Sequence, residues 1–340
     1  MGQKRVTILD VAKVAGVSKQ TVSRVINDRP DVADDTRQHI KEVIKKLGYQ
    51  PDPIAQSMKG KTQTLGCITP NLSDFSFSNI IQAAQAEALD KGFFILTGSA
   101  QSEFDLPALL NQILNRRVDG LLVINPHDDG RYQHFLPLVE QGLPIVYLKN
   151  SPMGDPVSAV YLDDRLGGSL ATEHLIALGH SEIVIIQGNR NEECSRERSI
   201  GYLDAFAEAG ITSNPSLITQ GDWSAASGKH AVQNLLERQI SFSAVFAQND
   251  LMAVGAINAL REAGLHVPND ISVIGYDDIP LSSYFAPPLT TIRQPLSKFG
   301  QIGAQLLIDA IRQPNMRPQT IVLEPELVIR NSCNLHPTHN

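Results

Sequence analysis

The sequence predicts a small all-α head, a short linker and a larger α/β core whose parallel strands form two lobes. Apolar residues recur at helical spacing over residues 1–49, and single glycines interrupt them. Residues 50–62 (QPDPIAQSMKGKT) contain two prolines and a glycine and too few apolar side chains for a core, so they are predicted to be a linker. From Thr64 onward, short apolar runs alternate with helical segments in two successive series, which predicts two sheets.

Each head helix has its own boundary signals. Thr7 followed by Asp10 is typical of a capping box at the start of the first helix. Ser18 is predicted to cap the second helix. The third is predicted to begin near Asp34, whose charge favours the positive end of a helix, and to stop before Gly48.

The core strands are predicted from apolar runs. The first series is TLGCIT, FFILTGS, DGLLVIN and PIVYL, and the second is EIVIIQG, SAVFAQ and ISVIGY. Strands that alternate with helices form parallel sheets with right-handed crossovers. Such sheets bind ligands at the carboxyl ends of their strands, which is where we expect a ligand site.

Composition excludes several classes of protein. The chain has 340 residues, of which 42% are hydrophobic and 19% charged, as is typical of globular proteins. No apolar run reaches the roughly 18 residues that a membrane span needs. Charges at Asp10 and Lys13 interrupt the N-terminal stretch, so no signal peptide is predicted and a cytoplasmic location without membrane contact is expected. Three widely spaced cysteines predict reduced thiols, with no metal site and no cofactor.

The charge of the chain is divided unevenly. The net charge is −7, which alone argues against a nucleic-acid partner. However, residues 1–60 carry 11 Lys/Arg and 7 Asp/Glu, whereas the remainder carries 18 and 29. A basic head on an acidic body indicates that only the head contacts DNA.

The segment VAKVAGVSKQTVSRVIN (11–27) predicts two helices joined by a tight turn at Gly16. In such helix-turn-helix units the second helix enters the major groove. Arg can bridge the two acceptors of a guanine and Gln can bridge adenine, so Lys19, Gln20 and Arg24 are the candidate base readers. Short polar side chains that suit phosphates complete the predicted interface: Thr7, Ser18, Thr21, Ser23 and Asn27. The alternative is an ordinary set of amphipathic helices with a solvated polar face.

The whole run TILDVAKVAGVSKQTVSRVIN (7–27) resembles the head of the LacI/GalR repressor family. The resemblance implies that Lys19, Gln20 and Arg24 meet base edges. It continues through LGYQPDPIAQSMKGKT (47–62), where it implies a hinge that becomes helical on operator DNA and inserts a leucine into the minor groove. Met58 stands at that position, so either a methionine is the wedge or Met58 only packs on its own hinge helix.

The core also resembles this family over nearly its whole length. The similarity is strong in GDWSAASG (221–228), FAQNDLMAVGA (246–256), DISVIGYDD (270–278) and PPLTTIRQP (287–295), and the pattern is nearer the lactose-repressor branch than the purine-repressor branch. It implies two periplasmic-binding-protein-like lobes, with crossings near Leu162, Ile292 and Pro325. The expected N-terminal lobe is 63–162 plus 293–324, and the expected C-terminal lobe is 163–292 plus 325–340.

Candidate effector residues follow from this resemblance and from local chemistry. A sugar site needs an aromatic plate and a few convergent polar groups. Trp223, the only tryptophan, matches a sugar-stacking residue, although a tryptophan is more often a core residue. Further matching or plausible cleft residues are Phe77, Asn125, Arg198, Asn249, Asp277 and Gln294. For the polar members, ordinary helix capping, such as by Asn249 or Asp250, is the alternative.

Lys149 departs from the pattern. The resemblance places an aspartate there that faces the sugar, so a lysine removes an acceptor and adds a positive charge. One hypothesis is that Lys149 tunes the cleft towards an anionic or phosphorylated sugar. The alternative is a different loop in which Lys149 is solvated.

The sequence therefore predicts a sequence-specific repressor that a small carbohydrate controls, with a non-sugar effector as the alternative. An enzyme is disfavoured because GxGxxG, Walker and GxSxG motifs are missing. A free-standing sugar-binding protein would carry a signal peptide and no helix-turn-helix. Two-fold dimers read pseudo-palindromes, and no leucine heptads follow the last predicted strand, so a homodimer rather than a tetramer is expected.

Overall fold

The structure, a computed structural model, describes residues 6–26, 29–49, 62–126, 128–149 and 156–336. The chain divides into two compact units, Met1–Thr62 and Gln63–Asn340. None of the helices in these described residues is long and apolar enough to cross a membrane.

The head unit contains three helices: α1 (Ile8–Ala15), α2 (Lys19–Ile26) and α3 (Asp34–Leu47). The capping box is formed, because the Asp10 carboxylate accepts the Thr7 backbone N–H at 2.8 Å while the Thr7 hydroxyl accepts the Asp10 N–H. The Ser18 hydroxyl accepts the backbone N–H of Thr21 at 3.1 Å. Val11, Val22 and Ile40 are buried at the centre, so the polar faces of the helices are left to solvent.

The first core sheet has six parallel strands in the order β11-β5-β4-β3-β1-β2. Its strands are β1 (Thr64–Thr69), β2 (Phe94–Ser99), β3 (Gly120–Ile124), β4 (Ile145–Lys149), β5 (Ser158–Leu162) and β11 (Thr320–Leu323). Nearly every residue of β1, β3, β4 and β5 is buried, as expected for strands covered on both faces.

The second core sheet has the order β12-β10-β9-β8-β6-β7, and β12 alone runs antiparallel to its neighbour. Its strands are β6 (Ile183–Gln187), β7 (Ile218–Gln220), β8 (Ala244–Ala247), β9 (Ser272–Asp277), β10 (Thr290–Arg293) and β12 (Glu326–Val328). We refer to the layers around the first and second sheets as lobe 1 and lobe 2. The prediction of a two-lobed α/β core with parallel sheets is confirmed.

Helices cover both sheets. Those of lobe 1 are α4 (Phe75–Asp90), α5 (Leu106–Leu114), α6 (Leu136–Glu140) and α11 (Leu296–Arg312), and those of lobe 2 are α7 (Asp164–Ala177), α8 (Glu193–Glu208), α9 (Ala225–Glu237) and α10 (Asp250–Glu262). Short 3₁₀ segments occupy Asp128–His134, Pro215–Leu217 and Ser282–Tyr284. Helices α7 and α8 approach closely at Gly201, where any Cβ would overlap the carbonyl oxygen of Arg165.

The chain passes between the lobes three times. It leaves lobe 1 after Leu162, returns after Arg293 into α11, and crosses again between Leu323 and Glu326. These crossings join the lobes on one side and leave a cleft at the carboxyl ends of several strands.

Candidate functional sites

A cavity of about 440 Å³ lies between the two lobes of the core. This volume falls within the range of small-molecule sites. The polar groups that line it come from both lobes: Asn71, Asp74, Gln101, Asn125, Asp128 and Arg131 from lobe 1, and Asn189, Asn191, Glu192, Arg198, Asn249 and Asp277 from lobe 2. Phe77, Phe299 and Trp223 supply aromatic surface. Aromatic faces beside many hydrogen-bonding groups suit a polar ligand that has some apolar faces.

Three residues of the cavity adopt left-handed backbone conformations. The φ angles are +50° at Asn125, +71° at Trp223 and +110° at Asp277. Such angles are costly for residues other than glycine and persist only where the surrounding structure enforces them. Asn125 directly follows β3 and Asp277 ends β9, so the strain lies where the two sheets face the cavity.

Trp223 is half-buried and held from several directions. Its indole Nε1–H donates to the Glu192 carboxylate at 2.9 Å, and its backbone carbonyl accepts from Asn249 Nδ2 at 2.9 Å. Gly188 leaves room for the ring, because a Cβ at that position would overlap the indole. The ring is therefore fixed as one wall of the cavity.

Arg198 is buried beneath the cavity and already has protein partners. Its Nε donates to Asp164 at 2.7 Å and its Nη1 donates to the Gln248 carbonyl at 2.6 Å. Its guanidinium lies 3.6 Å from the centre of the Tyr276 ring, and the Tyr276 hydroxyl donates to the same Asp164 oxygen. Burial, the largest single influence, acts to lower the pKa of Arg198, but the combined attraction of Asp164, Tyr276 and further neighbouring groups holds the pKa well above its usual value.

Several carboxyl groups of the cavity are hard to ionise. Burial raises the pKa of Asp128 to about 6, although the backbone N–H of Glu193 donates to it at 2.8 Å and lowers the pKa. This hydrogen bond joins lobe 1 to the N-terminus of α8 in lobe 2. Burial, followed by the charge of Asp128, raises the pKa of Glu192 to about 7. Burial also raises the pKa of Asp277, which accepts from Gln294 Nε2 at 2.8 Å. These groups can act as donors or acceptors near neutral pH.

The structure brings most of the predicted effector residues to this cavity. The residues that line it are Phe77, Asn125, Arg198, Trp223, Asn249, Asp277 and Gln294. The capping alternative also holds for Asn249, because its Oδ1 accepts the Met252 backbone N–H at 2.8 Å. Ligand contact by these residues remains a prediction.

Lys149 is the exception. It is the last residue of β4, pairs in register with Tyr161, and is only 1% exposed, so the solvated alternative is wrong. Lys149 is not among the described residues that line the cavity. The backbone pairing places Lys149 inside the sheet. The residues described as lining the cavity therefore give no support to the hypothesis that Lys149 selects an anionic sugar.

Sequence reasoning missed several cavity residues: Asn71, Asp74, Gln101, Asp128, Arg131, Asn189, Asn191 and Glu192. A usable signal was present. Asp128 and Glu192 lie in polar stretches shortly after predicted strands, and the carboxyl ends of parallel strands meet at one edge of a sheet.

In the head, the predicted base readers lie on one exposed surface of α2. Lys19, Gln20 and Arg24 are exposed, whereas Val22 and Val25 are buried. Thr7 and Ser18 are exposed, and Thr21 and Ser23 are half-buried. Asn27 and Met58 lie outside the described residues.

Arg24 also has a neighbour that the sequence pattern did not indicate. Its guanidinium lies 3.4 Å from the Asp31 carboxylate, and both side chains are exposed. Binding of Arg24 to a base would compete with this pair, which an exposed position makes weak.

Comparisons with known proteins agree with this architecture. The family described as "Bacterial regulatory proteins, lacI family" matches residues 7–52, and the "Periplasmic binding protein-like domain" matches residues 172–333. The HTH-type transcriptional repressor PurR of Erwinia tasmaniensis is 38% identical over 332 residues, which are 96% of each chain. The lac repressor dimer bound to operator and the anti-inducer ONPF is 32% identical, with a TM-score of 0.83 over 97% of this chain and all of that one.

A further similar structure is the complex of the transcriptional regulator CelR with cellobiose. It is 33% identical, with a TM-score of 0.74 over 96% of this chain and all of that one. The relatives that cover nearly the whole chain are transcriptional regulators and not enzymes. This chain therefore belongs to the LacI family of bacterial transcriptional repressors, with an N-terminal helix-turn-helix DNA-binding region and a two-lobed ligand-binding core.

Proposed function

We propose that this repressor binds a pseudo-palindromic operator as a homodimer and that a small carbohydrate in the cleft controls its operator affinity. The observation that carries the proposal is Trp223, a half-exposed aromatic plate held beside a polar rim in a cavity of about 440 Å³. Sugars present apolar C–H faces to such a plate and hydroxyl groups to such a rim. The similarity to a regulator described with cellobiose supports this ligand class, whereas the similarity to PurR repressors keeps a non-sugar effector as the alternative.

The cleft is built so that a ligand can favour one arrangement of the lobes. Its walls come from both lobes, and the Asp128 carboxylate accepts a hydrogen bond from the opposite lobe. A ligand shifts an equilibrium between lobe arrangements by as much as its affinity for the two differs. A ligand that favours the lobe arrangement with high operator affinity acts as a corepressor, and a ligand that favours the other arrangement acts as an inducer.

DNA recognition is assigned to the exposed surface of α2. Arg24 and Gln20 are four residues apart and therefore lie on one face of the helix, with Lys19 beside them. One head reads only a few base pairs, so two heads related by two-fold symmetry are needed for a long operator. This reasoning supports the homodimer.

The sole tryptophan provides the test. Emission of Trp223 is expected to change saturably with the true effector, because a stacked sugar replaces water at the indole. Trp223→Ala should weaken effector binding measured by calorimetry, while the ligand-free protein keeps its operator affinity. A folded, dimeric Trp223→Ala protein that fails to bind operator would show that Trp223 is only structural. If a nucleobase but no sugar perturbs the emission, the carbohydrate assignment is wrong.

A further inference from the structure

Glu192 occupies a special place in the cleft. It precedes the first residue of α8 and its carboxylate accepts the indole N–H of Trp223 at 2.9 Å. It also lines the cavity. The same carboxylate therefore holds the aromatic wall and borders the ligand space.

The charged groups around Glu192 come from both lobes. Asp74, the N-cap of α4, and Asp128, at the start of a 3₁₀ segment, act on it from lobe 1, and both make its ionisation harder. Arg198 on its own helix acts in the opposite sense, but this guanidinium is already paired with Asp164. Burial is the largest influence and, together with the neighbouring acids, raises the pKa of Glu192 to about 7. A further negative charge in this space would face three carboxyl groups, and the cations that also line the cavity are Arg131 from lobe 1 and Arg198 from lobe 2.

We infer that Glu192 is a specificity-determining residue that keeps anionic ligands out of the cleft and positions Trp223 for an uncharged ligand. The inference rests on the proposed function, because it assumes that the cleft is the effector site. It assigns an uncharged polyhydroxyl compound, rather than a phosphorylated or acidic sugar, as the ligand class. The ligand hydroxyl groups would meet carboxyl groups that can donate or accept according to their protonation.

Two variants separate charge from positioning. Glu192→Gln keeps an amide oxygen that can accept from the indole and removes the charge, whereas Glu192→Leu removes both. Glu197→Gln is the matched control, since Glu197 lies on the same helix and is half-buried but is not among the described cavity-lining residues.

Binding is measured with pairs of similar neutral and anionic probes: cellobiose with cellobionate, glucose with glucuronate, and adenosine with adenylate. The wild type should favour the neutral member by about tenfold or more, given the repulsion between charges in a partly buried site. Glu192→Gln should lower this ratio several-fold, and Glu197→Gln should leave it unchanged. Preference of the wild type for the anionic member, or an unchanged ratio in Glu192→Gln, would overturn the inference.

A measurement without ligand tests the role of Glu192 independently of the proposed function. Trp223 emission should titrate between about pH 5 and pH 9 in the wild type as Glu192 ionises, and this transition should be missing in Glu192→Gln. If only the adenosine pair binds, the carbohydrate assignment fails while the charge preference is still measured. If no pair binds, the titration decides, and an identical pH profile in the wild type and Glu192→Gln refutes the role of Glu192.

Discussion

Replacement of Arg198 by methionine should strongly destabilise the core, because it leaves the buried Asp164 carboxylate without the guanidinium that neutralises its charge. Asp164 is fully buried. The substitution removes the hydrogen bonds that Arg198 donates to Asp164 at 2.7 Å and to the Gln248 carbonyl at 2.6 Å. Loss of one partner of a buried ion pair costs about 3–5 kcal/mol. For a core of this size, that corresponds to a decrease in Tm of roughly 6–20 °C. Urea unfolding followed by far-UV circular dichroism measures the loss in the ligand-free protein.

A second ion pair between the same two helices provides the control. Arg165 on α7 pairs with Asp204 on α8, and the Arg165 side chain is 55% exposed. Arg165→Met should therefore cost less than about 1 kcal/mol. The double variant Arg198→Met with Asp164→Leu should recover much of the single-variant loss, since no buried charge is left unpaired. Equal losses in Arg198→Met and Arg165→Met, both below about 1 kcal/mol, would refute this account of the buried pair.

Three further outcomes are expected. Arg24→Ala should cost about 1–3 kcal/mol at the operator and relax the preference at one base, and equal loss on every DNA sequence would identify a phosphate contact instead. Gly188→Ala should displace the Trp223 ring, shift its ligand-free emission and weaken effector binding, so an unchanged spectrum contradicts the packing described. Asp128→Asn should stabilise the core at pH 7. Folding raises the pKa of Asp128 from 3.8 to about 6, so the contribution of this group to stability is fully present below about pH 4 and is lost as the pH rises through 6. Unfolding in urea at pH 4 and pH 7 tests this, and a difference between Asp128→Asn and the wild type that does not change with pH argues against it.

The head could be predicted closely because its signals are local. The Thr7–Asp10 capping box, the Ser18 cap and the stop at Gly48 each depend on residues a few positions apart. The third helix begins at Asp34 and ends at Leu47, as its apolar spacing and charged ends indicate.

The core was predictable in class but incompletely in its strands. The seven long apolar runs became strands, whereas β5, β7, β10, β11 and β12 had not been assigned as strands from the sequence. Pairing with neighbouring strands in the sheet defines these five strands.

The sequence by itself determined the helix-turn-helix head, the alternation that makes two parallel sheets, and seven of the residues that line the cleft, because periodicity, capping and motif spacing are local properties of the chain. Only the tertiary structure decided the electrostatics of that cleft. Asp74, Asp128 and Glu192 are far apart in sequence, and burial together with neighbouring charges raises the pKa values of Asp128 and Glu192. The structure likewise placed Lys149 inside a sheet, since burial depends on what packs against a strand and not on the polarity of the residue itself.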